Sequence, residues 1–582
     1  MAGPYSIKFE PNLPLMLRDG TFTYVDVFRP DAAGPFPGLL QRTPYDKSSP
    51  MSRVESLDAV RAAMSGYAVV IQDVRGRHSS DGEFTPFVDE MNDGHDSVEW
   101  VSSQPWCNGK VGMYGASYVG ATQWLAAKGV PPSLVCIAPG LTASDYHEGW
   151  TWQGGAFQLG FNLSWTMGLT TANWDHLANR LYLSTQLLDM LIEAKDGLDA
   201  LYSYLPMNEL PDLQYGIAPY YFEWLEHPEY DDYWRRVSIE ETYRSITVPA
   251  YNIGGWYDIF LGGTIRNFSG MRDRGNTPNA REGQRLILGP WSHWGFSSGL
   301  TGDYTFGTRA SPLYLDVQGG MLRFFDRWLK GEDRTTAEDG PVRIFVMGKN
   351  VWRNEDEWPL SRARPQRYYL HSKGGANTLR GDGWLSPEPP AEEPFDVYLY
   401  NPIDPVPTHG GAVEGELGLV FAGAFDQSQV EERQDVLVYT TPPLEQDTEV
   451  TGPVMVTLFA SSTASDTDFT AKLVDVSPSG YAMNLTDGII RARHREPRQP
   501  ASLIEPDEIY EYTIDLWATS NVFKQGHRIR IEVSSSNFPR FDRNTNTGEP
   551  IGSDTRFVSV LQTVHHSSDH PSHVLLPIVP AE

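Results

Sequence analysis

From the start of the chain to Gly140, short apolar runs alternate with stretches of helical spacing. Tyr67-Ala-Val-Val-Ile-Gln-Asp73 and Lys110-Val-Gly-Met-Tyr114 read as buried strands. Tyr118 to Lys128 reads as the helix after the second of them, and Leu134-Val-Cys-Ile-Ala138 as a third strand ending at Pro139-Gly140. Strand, helix and strand in this rhythm predict a parallel sheet with helices on its faces.

From about Thr142 to Ser245 the pattern becomes helical. Trp150, Trp152, Phe157, Phe161, Trp165 and Trp174 crowd its beginning, and Leu177 to Leu201 has leucines at helical spacing. Strand signals return at Val248-Pro-Ala-Tyr-Asn-Ile253 and Gln284-Arg-Leu-Ile-Leu288, so a helical cap splits an α/β domain in two. After about Asp339 the runs turn β-type, as in Val342-Arg-Ile-Phe-Val346, Arg367-Tyr-Tyr-Leu370, Val454-Met-Val-Thr-Leu-Phe459 and Arg528-Ile-Arg-Ile-Glu-Val533. Gly/Pro/Asn/Asp clusters separate them, which predicts a C-terminal β-sandwich of jelly-roll type. The expected fold class is α/β. Residues 1–141 and 246–338 are expected to form the two parts of the α/β domain, 142–245 the inserted cap, and 339–582 the sandwich.

Composition narrows the function classes. The 582 residues are too many for one core, and 40% hydrophobic with 21% charged is an ordinary globular balance. The net charge of −29 opposes nucleic acid or an anionic membrane as partner, although it also suits a merely solubilising surface. The first residues lack a basic segment followed by an apolar one, and no run approaches the roughly 18 apolar residues of a membrane span, so a cytoplasmic protein is expected. Cys107 and Cys136 are the only cysteines and are expected as buried thiols; no spacing of Cys or His points to zinc. No cofactor and no metal are expected. His565, His566, His570 and His573 read as exposed strand histidines, and the acidic run from Asp81 to Asp96 as surface turns, its spacing differing from an EF-hand.

Gly115-Ala-Ser117-Tyr-Val-Gly120 lies where a strand passes into a helix, the setting of a nucleophile elbow. The general pattern G-x-S-x-G has glycine two residues after the serine, where Val119 stands, so the motif alone also fits an ordinary strand–helix turn. A serine needs a base to take its proton and the base needs a carboxylate to orient it. In α/β-hydrolases, the fold class that such an elbow points to, the order is serine, acid, histidine, each after a strand. Asp258, in Gly254-Gly-Trp-Tyr-Asp258, and His293, in Gly289-Pro-Trp-Ser-His293, meet both conditions.

These three motifs resemble those of the cocaine esterase / X-Pro dipeptidyl-peptidase family of serine hydrolases, whose elbow is G-x-S-Y-x-G. Arg42-Thr-Pro-Tyr45, Asp73-Val-Arg-Gly76, Gln104-Pro-Trp-Cys-Asn-Gly109 and Ser534-Ser-Ser-Asn-Phe-Pro-Arg540 resemble it too, so the likeness spans essentially the whole chain. The resemblance implies a catalytic triad of Ser117, Asp258 and His293. It implies an oxyanion hole made by the Tyr45 hydroxyl and the amide of Tyr118, and an acyl pocket walled by Trp165, Phe260 and Leu261.

Within that family, X-Pro dipeptidyl-peptidases usually carry an added N-terminal helical domain, whereas strand signals here start at Tyr5 to Phe28. α-Amino-acid ester hydrolases hold the substrate ammonium with acids where this chain has Phe260, Leu261 and Thr151. The expectation is therefore a carboxylesterase acting through an acyl-enzyme on esters with an apolar or aromatic acyl group. An acylase or amidase is the runner-up, and a non-catalytic carbohydrate-binding protein the remote alternative. The partner is a small-molecule ester or amide, with a homodimer left open.

Overall fold

A computed structural model describes residues 4–294, 300–334, 336, 340–414 and 421–581. Ten strands build the first sheet: β1 (Ile7–Met16), β2 (Phe22–Pro30), β3 (Phe36–Thr43), β4 (Ala68–Asp73), β5 (Cys107–Ala116), β6 (Leu134–Gly140), β7 (Tyr251–Tyr257), β8 (Arg285–Ser292), β9 (Val342–Val346) and β10 (Val351–Glu355). They lie in the order β1-β2-β4-β3-β5-β6-β7-β8-β9-β10. From β4 to β9 every neighbouring pair is parallel, and β1, β2 and β10 are antiparallel additions at the edges. β4 and β7 are buried at every position, as parallel strands covered on both faces must be.

The order reverses between β3 and β5, neighbours whose chains leave toward opposite sides of the sheet. Ligands of open α/β sheets bind outside the strand C-termini at such a point. Tyr45 follows β3 and Ser117 follows β5, so both stand over the crevice.

The cap opens on Leu159–Ala172, a helix buried along most of its length. The leucine-rich stretch after it forms three helices, not one: Trp174–Leu181, Thr185–Asp196 and Leu198–Tyr202. Tyr182, at φ 55°, and Gly197 interrupt it. Of its leucines, Leu177, Leu191, Leu198 and Leu201 are buried, and Leu183, Leu187 and Leu188 pack partly buried against the same core.

Eleven strands form the C-terminal β-sandwich, from Arg364–His371 to His573–Val579. Val342–Val346, expected to open this sandwich, instead pairs with β8 as a parallel strand, and Val351–Glu355 folds back on it. A short apolar run has the same pattern in either sheet, and only its partner distinguishes them. Ser534–Arg540 docks the sandwich on the cap. Pro539 O accepts from Gly160 N at 2.8 Å, and Arg540 pairs with Asp487 and donates to Gln153 Oε1 at 3.3 Å.

Two further expectations change. His566 is buried, 2.9 Å from Asp396 and 3.1 Å from Ser372, because it faces into the sandwich while His565 beside it points outward. The acidic run is tied to arginines rather than free in turns: Glu90 to Arg42, Asp93 to Arg75 and Asp96 to Arg18. Cys107 and Cys136 are free and buried. Among the described residues no cluster of His, Cys, Asp and Glu could hold a metal, and no helix is long and apolar enough to cross a membrane.

Candidate active site

Ser117 stands between β5 and the helix Tyr118–Lys128 with φ 63° and ψ −131°, a strained conformation for a residue with a side chain. Its amide donates to Gly140 O at 2.9 Å, which pins the turn to β6. The glycines on either side make that turn possible. A Cβ on Gly115 would lie 2.1 Å from Val119 Cγ1, and one on Gly120 would lie 2.8 Å from Thr142 Cβ. The branched Val119 is thus accommodated by Gly115, which accounts for its standing where the general motif has glycine.

Asp258 follows β7 and His293 follows β8, adjacent parallel strands that bring the two side chains together. His293 Nδ1 donates to Asp258 Oδ1 at 2.7 Å, and Ser117 Oγ donates to His293 Nε2 at 2.9 Å. Asp258 is fully buried and His293 only 6% exposed. A proton can pass along this row from the serine to the imidazole, with the carboxylate fixing the ring's tautomer and its orientation. Burial pulls the imidazole pKa down. Glu414's charge and the hydrogen bond and charge of Asp258 push it up, and the net shift is upward.

The Tyr45 hydroxyl accepts a hydrogen bond from Trp165 Nε1 at 3.0 Å. With its oxygen so engaged, its own hydrogen is left for the space over Ser117. Burial raises the Tyr45 pKa well above the ordinary phenol value, so it remains a neutral donor. Tyr118 is the first residue of the elbow helix, where amides have no acceptor within the helix. Its side chain is buried elsewhere, donating to Glu90 Oε1 at 3.0 Å. Glu90 in turn pairs with Arg42 at 2.5 Å. This chain of bonds ties the Arg42–Tyr45 segment to the elbow. Asp73 holds the same segment from behind, accepting from Lys47 N at 2.7 Å.

One cavity opens over Ser117. Trp165, Leu141, Ile253, Met51 and Met321 give it apolar walls, and Tyr45, His293 and Glu414 line it too. Trp165 is where the resemblance put it, but Phe260 and Leu261 are not on the wall. Phe260 is fully buried, stacked on Trp150 at 4.3 Å and set edge-on to His293 at 5.3 Å. Leu261 packs behind, at the start of the helix Leu261–Arg274. Of the two, Phe260 packs against the histidine.

Glu414 of the cavity escaped the sequence, as did one hydrogen bond of a residue that was foreseen. Glu414 comes from the C-terminal part of the chain, with Oε2 4.0 Å from His293 Nε2. Nearby, Gly411 and Gly423 exchange backbone hydrogen bonds of 2.7 and 2.9 Å, and Thr408 N donates to Phe538 O at 2.7 Å. No motif or periodicity marks it. Trp165 was foreseen as a wall, but its hydrogen bond to Tyr45 was not.

A family model described as X-Pro dipeptidyl-peptidase (S15 family) matches residues 19–295. A second, described as X-Pro dipeptidyl-peptidase C-terminal non-catalytic domain, matches residues 335–575. The chain is 41% identical to a cocaine esterase of Rhodococcus sp. (strain MB1 Bresler), over 99% of this chain and 99% of that protein. Among solved structures, an aminopeptidase from the marine sediment archaeon Thaumarchaeota archaeon superposes with a TM-score of 0.82 at 25% identity, covering 99% of this chain and 97% of that one. An α-amino acid ester hydrolase does so with a TM-score of 0.80 at 25% identity, covering 99% and 98%.

Proposed function

The chain belongs to the cocaine esterase / X-Pro dipeptidyl-peptidase family and is a serine ester hydrolase; on that footing we propose that Ser117, His293 and Asp258 are its catalytic triad. The observation that carries this reading is the hydrogen-bonded row from Ser117 Oγ to Asp258 Oδ1 at the floor of an apolar cavity. Ser117 Oγ attacks the ester carbonyl while His293 Nε2 takes its proton. The oxyanion receives hydrogen bonds from the Tyr45 hydroxyl and the Tyr118 amide. The intermediate collapses, His293 passes the proton to the departing alcohol, and the acyl group stays on Ser117. Water, deprotonated by His293, then attacks the acyl-enzyme. The proton goes back to Ser117 Oγ as the carboxylic acid leaves.

The acyl group is apolar or aromatic. Leu141, Ile253, Met51, Met321 and Trp165 support this, since such walls select by buried area, about 0.8 kcal/mol for each methylene fully removed from water. Benzoyl, phenylacetyl and medium-chain acyl esters should exceed acetyl esters in kcat/KM. The test is labelling by a fluorophosphonate probe, expected in the wild type and lost in Ser117→Ala, together with kcat/KM over a nitrophenyl ester series. Labelling that survives Ser117→Ala removes the assignment, and an acetyl ester at the top of the series removes the acyl preference.

A further inference from the structure

Arg77 is buried close to Tyr45 and takes no part in the triad. It is only 3% exposed, and among the described residues its hydrogen bonds go to main-chain carbonyls, with no carboxylate in ion-pair contact. Its Nε donates to Pro44 O at 2.9 Å and its Nη1 to Leu169 O at 2.9 Å. Burial pulls its pKa down to about 10, so the guanidinium still carries its charge at neutral pH. A charge taken out of water without an acid to pair with it is costly, and calls for a function.

The two carbonyls show what the charge is fixed to. Pro44 immediately precedes Tyr45, and Leu169 lies one turn beyond Trp165 on the cap helix Leu159–Ala172. Trp165 Nε1 donates to the Tyr45 hydroxyl at 3.0 Å, so a circuit closes from Tyr45 through Trp165, Leu169 O and the guanidinium to Pro44 O and Tyr45 again. The turn that carries Arg77 is itself held. His78 Nε2 donates to the same Pro44 carbonyl at 3.1 Å, His78 N to Asn173 Oδ1 at 2.7 Å, and Asn173 Nδ2 to Gly76 O at 3.0 Å. The guanidinium also lies over the Phe84 ring at 5.4 Å, and that ring packs on Tyr118 at 5.6 Å between centroids. Both residues that offer a donor to the oxyanion are thus braced by Arg77. A planar fork holds two carbonyls at fixed angles, whereas an ammonium would hold them loosely.

The charge reaches the phenol as well. Burial raises the Tyr45 pKa, while the Trp165 hydrogen bond and the Arg77 charge oppose that rise. A phenol polarised in this way donates more strongly, and a positive charge fixed beforehand is worth most when negative charge develops near it. Resting on the serine and oxyanion reading above, we propose that Arg77 is a positioning residue of the oxyanion hole: it clamps Tyr45 and the Trp165 helix in one geometry and keeps positive charge beside the hydroxyl that meets the oxyanion.

The test is a double-mutant cycle between Arg77 and Tyr45, read in kcat, KM and the Ki of butylboronic acid, whose tetrahedral adduct with the serine mimics the transition state. Arg77→Met should lower kcat by roughly 10- to 100-fold with KM within about twofold, and should raise Ki by a similar factor. Arg77→Lys keeps the charge but not the fork and should lose less, about fivefold; it carries the same cycle should Arg77→Met fail to fold. In the Tyr45→Phe background, Arg77→Met should cost less than about threefold more, because the hydroxyl through which it acts is gone. A purely structural role would instead reduce the amount of active enzyme that titrates and leave Ki unchanged. Losses that multiply across the cycle, a change confined to KM, an unchanged Ki, or wild-type kcat in Arg77→Met overturn the proposal. Failure of the underlying reading shows elsewhere: activity retained in Ser117→Ala removes the triad, full activity in Tyr45→Phe removes the oxyanion role, and either takes the proposal with it.

Discussion

The α/β domain and the C-terminal sandwich both reach the cavity, but by different routes. Ser117, Asp258, His293 and Tyr45 each sit a residue or two beyond the end of a parallel strand. Their positions follow from local turn geometry, such as the φ of 63° at Ser117 and the close approach at Gly115. Glu414 comes from the C-terminal part of the chain and reaches the cavity across a long stretch of sequence, its Oε2 4.0 Å from His293 Nε2. Groups whose placement must be accurate to a fraction of an ångström are carried on the rigid sheet. A group that acts by charge over 4.0 Å can come from a neighbouring domain.

The comparison breaks most sharply if the sheet residues can be removed without consequence. Ser117→Ala, His293→Ala and Asp258→Asn should each lower kcat by about 10³-fold or more if, as proposed, the three act as a unit. For the same reason Ser117→Ala/His293→Ala should be no worse than the poorer single variant. Steady-state kinetics with a nitrophenyl ester measures both, and substantial activity in Ser117→Ala would refute the division of labour.

A smaller loss is expected at the proposed oxyanion site. Tyr45→Phe keeps the ring and deletes the donor, and should cost roughly 10² to 10³ in kcat with little change in KM. Trp165→Phe removes the indole N–H that occupies the Tyr45 oxygen and should cost about tenfold in kcat. A change in KM alone for Tyr45→Phe would move this hydroxyl from the oxyanion to substrate binding.

What was legible in the sequence divides along the same line. The elbow helix, Tyr118–Lys128, has the bounds that its periodicity predicts. Ser117, Asp258 and His293 come together as their motifs imply, because each motif encodes its own turn. Where partners decide, the sequence was silent. Val342–Val346 is a short apolar run that would fit either sheet, and pairing with β8 puts it in the first. Phe260 and Leu261 are apolar residues beside the site, but nothing in their order shows which way the backbone turns after Asp258. Glu414 follows Gly410-Gly-Ala-Val in a stretch without periodicity, and only the docking of one domain on another gives it meaning.

The placement of Phe260 reverses an expectation drawn from the resemblance. As a cavity wall, its loss would change the ranking of acyl groups. Buried on Trp150 and edge-on to His293, it should instead leave a void beneath the imidazole. Phe260→Ala should therefore lower stability by about 3–5 kcal/mol and slow all esters by a similar factor. Denaturant unfolding and kcat/KM for acetyl and benzoyl esters separate the two outcomes, a loss confined to the benzoyl ester returning Phe260 to the wall.

The finest expected effect is on the pH profile, and it joins the two domains through one atom. On the proposed mechanism the free enzyme needs neutral His293 to accept the serine proton, so kcat/KM should fall on the acid side as the imidazole is protonated. Burial lowers that pKa, but Glu414 and Asp258 more than offset it, so the acid limb should lie above the ordinary histidine value of about 6.5. Removing the negative charge in Glu414→Gln makes the imidazolium less stable. The pKa then falls, neutral imidazole persists to lower pH, and the limb moves toward acid. Glu414→Asp keeps the charge and should move it less. The profile is to be read with a neutral ester, 3,3-dimethylbutyl butyrate, so that no substrate charge contributes. A limb that stayed in place in Glu414→Gln, or moved toward alkali, would mean that the sandwich does not reach the imidazole electrostatically, and the α/β domain would then set the basicity of His293 alone.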